Sequence, residues 1–124
     1  MAIKRVLVAD DEWHLRMMLT NLLADMNLEV AGEATNGQQM LEMYRQEKPD
    51  LVLLDVNMPV LTGEEAIAQL MQEFPDARVL MLTSVADIET VEACLDAGAY
   101  DYIRKDCEMD RIKEAIAEAL QEDD

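Results

Sequence analysis

The chain has 124 residues, 51% of them apolar and 30% charged, with a formal net charge of −17 at neutral pH. That length suits one domain with its own core, spanning residues 1–124, and the apolar share excludes a disordered segment. So large a negative charge repels the phosphates of nucleic acids and anionic lipids, which excludes direct binding to DNA, RNA or a membrane surface.

Two periodicities alternate along the chain. A β-branched run, Ile3–Ala9, leads into Asp10 and Asp11, and then Leu15, Met18, Leu19, Leu22, Leu23 and Met26 fall on one helical face. A second run, Leu28–Ala34, is followed by Asn36-Gly37 and a helix carrying Met40, Leu41 and Tyr44. After Lys48-Pro49-Asp50 comes Leu51–Leu54, ending at Asp55, and a third helix with Ile67, Leu70, Met71 and Phe74. Phe74-Pro75-Asp76 precedes Val79–Leu82 and Thr83, and a fourth helix carries Ile88, Val91, Cys94 and Leu95. Ala97-Gly98 opens the way to Tyr100–Ile103, Lys105 and a last helix with Met109, Ile112, Ile116, Ala119 and Leu120. Five βα units in series predict a doubly wound α/β domain, a parallel sheet covered by helices on both faces. The third and fourth strands are apolar nearly throughout, as strands buried on both faces should be.

Cys94 and Cys107 form no CxxC pair and have no neighbouring histidine, so they read as free thiols in a reducing cytosol. No apolar stretch is long enough for a signal peptide or a membrane span, and the expected location is cytoplasmic.

The chemistry gathers at strand ends, where parallel sheets carry their sites. In this topology the first and third strands are neighbours, which brings Asp55 beside Asp10 and Asp11. Carboxylates so close titrate together, and a divalent cation relieves their repulsion. Only oxygen ligands are on offer, which selects Mg²⁺ or Mn²⁺ over zinc or copper. Thr83 and Lys105 open onto the same sheet edge and could hold the oxygens of a phosphoryl group carried by Asp55.

Val-Ala-Asp10-Asp11-Glu, Leu-Leu-Asp55-Val-Asn57-Met58-Pro59 with Gly63, Leu-Thr83-Ser84 and Tyr102-Ile-Arg-Lys105 together resemble the receiver domain of two-component response regulators. The similarity covers about residues 3 to 120 and is nearest in size to the chemotaxis-type single-domain regulators. It implies a flavodoxin-like sheet of order 2-1-3-4-5 with five helices. It implies that Asp55 accepts phosphate from a sensor histidine kinase, a phosphotransfer protein or a small phosphodonor. Asp11, Asp55 and the backbone carbonyl of Asn57 would bind Mg²⁺, with Asp10 helping through water, and Lys105 would pair with a phosphoryl oxygen. Thr83 would then move onto the phosphoryl group and Tyr102 would follow it inward as a switch. The output face implied is that of the fourth helix, fifth strand and fifth helix, with Asp87, Glu89, Thr90, Glu92, Asp96, Arg104, Glu108 and Arg111 toward solvent. Its mostly acidic character calls for a downstream protein with a basic or mixed patch, or for an output domain absent from this chain. The resemblance allows a monomer, or a dimer when phosphorylated, and a domain that is no enzyme although it promotes its own phosphorylation and dephosphorylation.

Two positions depart from the pattern and two more bear on phosphoryl lifetime. Asp106 follows Lys105 where many receivers have proline, which leaves open whether that peptide is cis or trans. Residue 84, often Ala or Gly, is Ser. Asn57 and Val85 match positions that tune phosphoryl lifetime, and an apolar Val85 cannot orient an attacking water, so slow to moderate self-dephosphorylation is expected.

Plainer readings accompany each of these. Asp10-Asp11 could begin a helix as N-cap and first turn. Lys105 could be a solvated lysine, Thr83 an ordinary strand end, Tyr102 a half-buried edge-strand tyrosine, and Asn57-Met58-Pro59 with Gly63 a turn. His14 reads as exposed and without function, the methionines as core filling, and Trp13 as a neighbour of the metal site. A Mg²⁺-dependent aspartyl-phosphate phosphatase would instead carry a DxD pattern after the first strand, and here the acids are adjacent. A module that has lost phosphorylation would lack part of a set that is complete here.

Overall fold

The computed structural model describes residues 3–84 and 88–121. Strands and helices alternate as β1 (Arg5–Ala9), α1 (Trp13–Asp25), β2 (Glu29–Ala34), α2 (Gly37–Glu47), β3 (Leu51–Asp55), α3 (Gly63–Glu73), β4 (Val79–Thr83), α4 (Ile88–Ala97), β5 (Asp101–Arg104) and α5 (Met109–Leu120). All strand pairs are parallel and the order is β2-β1-β3-β4-β5, as expected. The sequence expectation overran at three strand starts, among them Leu28, which precedes β2 at Glu29. Ile3 is 63% exposed and precedes β1, because pairing with β2 begins at Arg5 opposite Glu29. Pairing of β5 with β4 likewise begins at Asp101, opposite Leu80, one residue after Tyr100.

The strand pleat divides the core into two layers. Leu7 and Ala9 of β1 face α2, α3 and α4, in a layer with Met40, Leu41, Ile67, Leu70, Val91 and Cys94. Val6 and Val8 face α1 and α5, with Leu19, Leu22, Leu23, Ile112, Ile116 and Ala119. Every residue of β3 and β4 is buried, so both central strands are covered on both sides.

Local signals explain the helix boundaries. The Asn36 side chain caps α2 by accepting from the Gln39 amide, and Lys48 closes that helix in the left-handed conformation. Thr62 and Glu65 form a reciprocal capping box on α3. In contrast, Glu12 occupies the N-cap of α1 without a side-chain cap bond. A missing cap costs about 1 kcal/mol, whereas burying Leu19, Leu22 and Leu23 contributes about 2 kcal/mol each, so packing decides this helix.

Register then builds the site. Ala9 lies opposite Leu54, so Asp10 and Asp55 emerge from the sheet at one level. Thr83 lies opposite Arg104, which delivers Lys105 to the same edge, its amide donating to the Thr83 carbonyl at 2.8 Å. No helix among the described residues is long and apolar enough to cross a membrane.

Candidate functional site

Each acid is positioned by backbone at the carboxyl edge of the sheet. The Asp10 amide donates to the Ala34 carbonyl at 3.0 Å, and Oδ1 of Asp10 accepts from the Glu12 amide at 2.8 Å. Arg16 reaches back from α1 to the Asp10 carbonyl at 2.8 Å. Oδ1 of Asp55 accepts from the Asn57 amide at 3.1 Å. Gly63 is what lets α3 approach this end of β3. A Cβ there would overlap the Asp55 carbonyl oxygen and Val56, and the Gly63 amide donates to the Val56 carbonyl at 3.0 Å.

These bonds leave one oxygen of each inner carboxylate turned into the cleft. Asp10 and Asp55 are buried, and Oδ2 of both lacks a hydrogen bond. The Lys105 ammonium lies 3.1 Å from each Oδ2 and 2.9 Å from Oε1 of Glu12, but only the Glu12 contact has hydrogen-bond geometry. The cleft measures about 280 Å³ and is lined by Asp11, Glu12, Asp55, Asn57, Ser84 and Lys105. Oxygens of Asp10, Asp11, Glu12 and Asp55 all fall within 4.8 Å of one another, an acidic cluster able to hold a metal ion.

Burial and the neighbouring charge of Asp10 raise the Asp55 pKa to about 6, against weaker opposition from the Asn57 amide and Lys105. Burial also raises Asp10, the Glu12 amide and Lys105 acting the other way. For Lys105, burial favours the neutral amine, but the Glu12 hydrogen bond and the charges of Asp55 and Asp10 outweigh it and raise the pKa. The Lys105 bond lowers that of Glu12. The ammonium therefore stays charged, while the two inner acids strain against each other.

The sequence-derived set largely converges. Asp10, Asp11, Asp55, Asn57, Thr83 and Lys105 all lie at this edge, with Asp11 and Asn57 exposed and Thr83 fully buried. The Thr83 hydroxyl donates to the Ser84 carbonyl at 2.9 Å. Tyr102 is 37% exposed and points away from the core, and it lines a second cleft of about 350 Å³ with Arg104, Cys107 and Arg111. On the anticipated output face, Glu89, Glu92, Asp96, Arg104, Glu108 and Arg111 are exposed and Thr90 is half-buried, while Asp87 and Val85 lie outside the described residues. That face is acidic on α4 but carries two arginines at the junction of β5 and α5, each tied to a nearby acid.

The plainer readings fare unevenly. Asp10 and Asp11 do not cap α1, whose N-cap is Glu12. Lys105 is no solvated lysine, its side chain being 20% exposed and surrounded by three carboxylates. His14 is exposed, 3.7 Å from Glu12 and edge-on to Trp13. Cys94 and Cys107 are free thiols, and no peptide bond among the described residues is cis, Lys105–Asp106 included. Glu12 is the residue that sequence reasoning left without a role. Its signal was present, a third acid directly after Asp10-Asp11.

A profile of the response regulator receiver domain matches residues 6–117. The chemotaxis protein CheY of Thermotoga maritima is 39% identical over 113 residues, 91% of this chain and 94% of that protein. CheY of Bacillus subtilis is 37% identical over 116 residues, 94% of this chain and 97% of its own. Among solved structures, the CheY-like receiver domain protein of Methanospirillum hungatei superposes with a TM-score of 0.89 at 27% identity, over 97% of this chain and 95% of that one. The chain belongs to the receiver domains of response regulators, the family of phosphorylation-activated switches in two-component signalling.

Proposed function

We propose that the chain is a single receiver domain that accepts a phosphoryl group on Asp55. The observation that carries this reading is the buried, unbonded Oδ2 of Asp55, at an open cleft and 3.1 Å from the Lys105 ammonium. In the transfer, an Asp55 oxygen attacks phosphorus and forms a P–O bond. The bond from phosphorus to the donor breaks, and its electron pair leaves with the donor: a histidine nitrogen of a kinase or phosphotransfer protein, or the carboxylate of acetyl phosphate. Hydrolysis reverses the state, water taking the phosphorus and Asp55 returning as carboxylate.

The acid cluster suits a hard divalent cation, because two buried carboxylate oxygens accept no hydrogen bond and the ligand atoms on offer are all oxygen. Asp11, Asp55 and the Asn57 carbonyl are the residues that would hold Mg²⁺, or Mn²⁺ in its place, with Asp10 acting through water. When bound, the ion supplies positive charge against the transferring phosphoryl oxygens. Asp10 and Asn57 fix the Asp55 neighbourhood, and Lys105 offers an ammonium to the phosphoryl group. Thr83 sits buried beside the site, its hydroxyl would turn from the Ser84 carbonyl toward an incoming oxygen, and the outward Tyr102 is the side chain that would follow it.

The consequence is a change of the α4–β5–α5 face. An aspartyl-phosphate adds about one to two negative charges, and driving a two-state element from mostly off to mostly on takes about 5.5 kcal/mol of differential stabilisation. The partner receiving that signal is a downstream protein, an attached output domain or, through dimerisation of the same face, a second copy of the chain. Incubation with acetyl phosphate and Mg²⁺ should add one phosphate to the intact mass, and Asp55→Ala should abolish the gain. A phosphate gain that survives Asp55→Ala, or none in the wild type, overturns the assignment. Loss of the phosphate within a few seconds would contradict the slow turnover expected from Val85.

A further inference from the structure

We propose that Glu12 holds Lys105 in the resting state and competes with the phosphoryl group for its ammonium, so that it sets how readily the site takes up a phosphoryl anion. This rests on Asp55 being the phosphoacceptor. Three observations converge on it. Of the three carboxylates around the Lys105 ammonium, Glu12 makes the shortest contact, 2.9 Å from Oε1 with hydrogen-bond geometry, while Oδ2 of Asp10 and of Asp55 lie 3.1 Å away. Glu12 also occupies the N-cap of α1 yet makes no capping bond, its side chain being spent on Lys105 ninety-three residues away in the chain. The Glu12 backbone is fixed in turn by its N–H, which donates to Oδ1 of Asp10 at 2.8 Å, and its side chain lines the cleft.

An ammonium has three hydrogens and no lone pair, so each oxygen that engages it takes from a finite supply. A phosphoryl group on Asp55 brings three oxygens and a further negative charge to the cleft that Glu12 lines. Glu12 then loses twice, since it must share the ammonium and face the new charge. Its hydrogen bond is stronger in the unphosphorylated state than in the loaded one, so deleting it shifts the balance toward the loaded state. Glu12 is a positioning residue, acting on the phosphoryl group through Lys105.

The test uses beryllium fluoride, a non-covalent mimic of the phosphoryl group, at saturating Mg²⁺, with binding read from the fluorine NMR signal of the bound anion. Glu12→Gln should tighten binding by about three- to tenfold, the range for a partly exposed charged hydrogen bond. In a Lys105→Met background the same substitution should give no such gain. Unchanged or weaker binding of Glu12→Gln overturns the inference. So does an equal gain in both backgrounds, which would mean that rim charge alone repels the anion. A metal-free readout stands beside it: in EDTA, the urea midpoints of Glu12→Gln, Lys105→Met and the double variant should be non-additive, and additive shifts overturn the pairing. If the wild type binds the anion and gains phosphate while Glu12 variants match it, only this inference fails. If the wild type does neither, the phosphoacceptor reading fails with it.

Discussion

The two ends of the sheet treat charge in opposite ways. At the amino end, Arg5 donates to Glu29 at 2.9 Å, to Glu47 at 2.6 Å and to the Glu47 carbonyl, and its amide meets Asp50 at 2.8 Å. Arg78 there binds the Ala119 carbonyl at 3.0 Å and stacks over Tyr100 at 4.9 Å. These charges are matched and partly exposed. At the carboxyl end, Asp10 and Asp55 are buried, each with an oxygen that accepts no hydrogen bond, and one lysine serves three acids. Val60, in the β3–α3 loop, adds a β-branched residue at φ +68°. One end is built to hold the fold, and the other is held in tension by the fold, which is where a bound cation or phosphoryl group has most to relieve.

The largest effect should come from closing the approach of α3 to β3. Gly63→Val places side-chain atoms where the Asp55 carbonyl and Val56 already sit. Overpacking of this kind against backbone costs about 3 kcal/mol. Urea unfolding should show that loss, and an unchanged midpoint would mean that the loop gives way freely.

Next in size is the reverse effect, stabilisation by removing a site charge. The folded pKa of Asp55, about 6, lies above its ordinary value of 3.8, so folding favours the protonated carboxyl. The penalty is absent below about pH 3, grows as pH rises from about 4 to about 6, and is complete at neutral pH. The difference of about 2 pK units corresponds to about 3 kcal/mol at most, and relaxation around the site trims it to about 2 kcal/mol. In EDTA, Asp55→Asn should therefore be more stable than wild type at pH 7.5, and the gain should shrink toward zero as pH falls below the ordinary carboxyl pKa of 3.8. Added Mg²⁺ should stabilise the wild type and leave the variant behind. Equal pH curves for the two proteins would show that the carboxyl end is not strained.

How much of this contrast was legible in the sequence follows from what each feature depends on. Strand composition and helical periodicity are local, so β3 and β4 and the helix faces could be read directly, whereas the sheet order followed from the resemblance to receiver domains. Asp10, Asp55, Thr83 and Lys105 could be read because each directly follows or ends a strand, and topology alone carries them to one edge. Strand pairing limits were not legible: Ile3 looks like strand until the register with β2 starts at Arg5. Neither was the Glu12–Lys105 contact, because it joins opposite ends of the chain and depends on a side chain leaving its own helix uncapped.

Val60 offers a smaller probe of the strained end. Its φ of +68° is a left-handed conformation that a β-branched residue rarely adopts, and the side chain is 80% exposed, so little packing is lost by removing it. Val60→Gly should stabilise the protein by about 1 kcal/mol, less the entropy glycine adds to the unfolded chain. A destabilised variant would show that the Val60 side chain contributes contacts that outweigh the strain.

The matched end should respond least and in a different way. Arg5→Met keeps most of the aliphatic stem but removes the bonds to Glu29 and Glu47. Both partners are well exposed, at 54% and 39%, so water can solvate the acids once the guanidinium is gone. The expected loss is smaller than any of the effects above and should shrink further as salt is raised, because screening already weakens the wild-type pairs. The Asp55→Asn gain should resist the same salt, because its origin is burial rather than exposed pairing. A salt-independent loss at Arg5, or a gain at Asp55 that salt erases, would mean that the two ends manage charge alike.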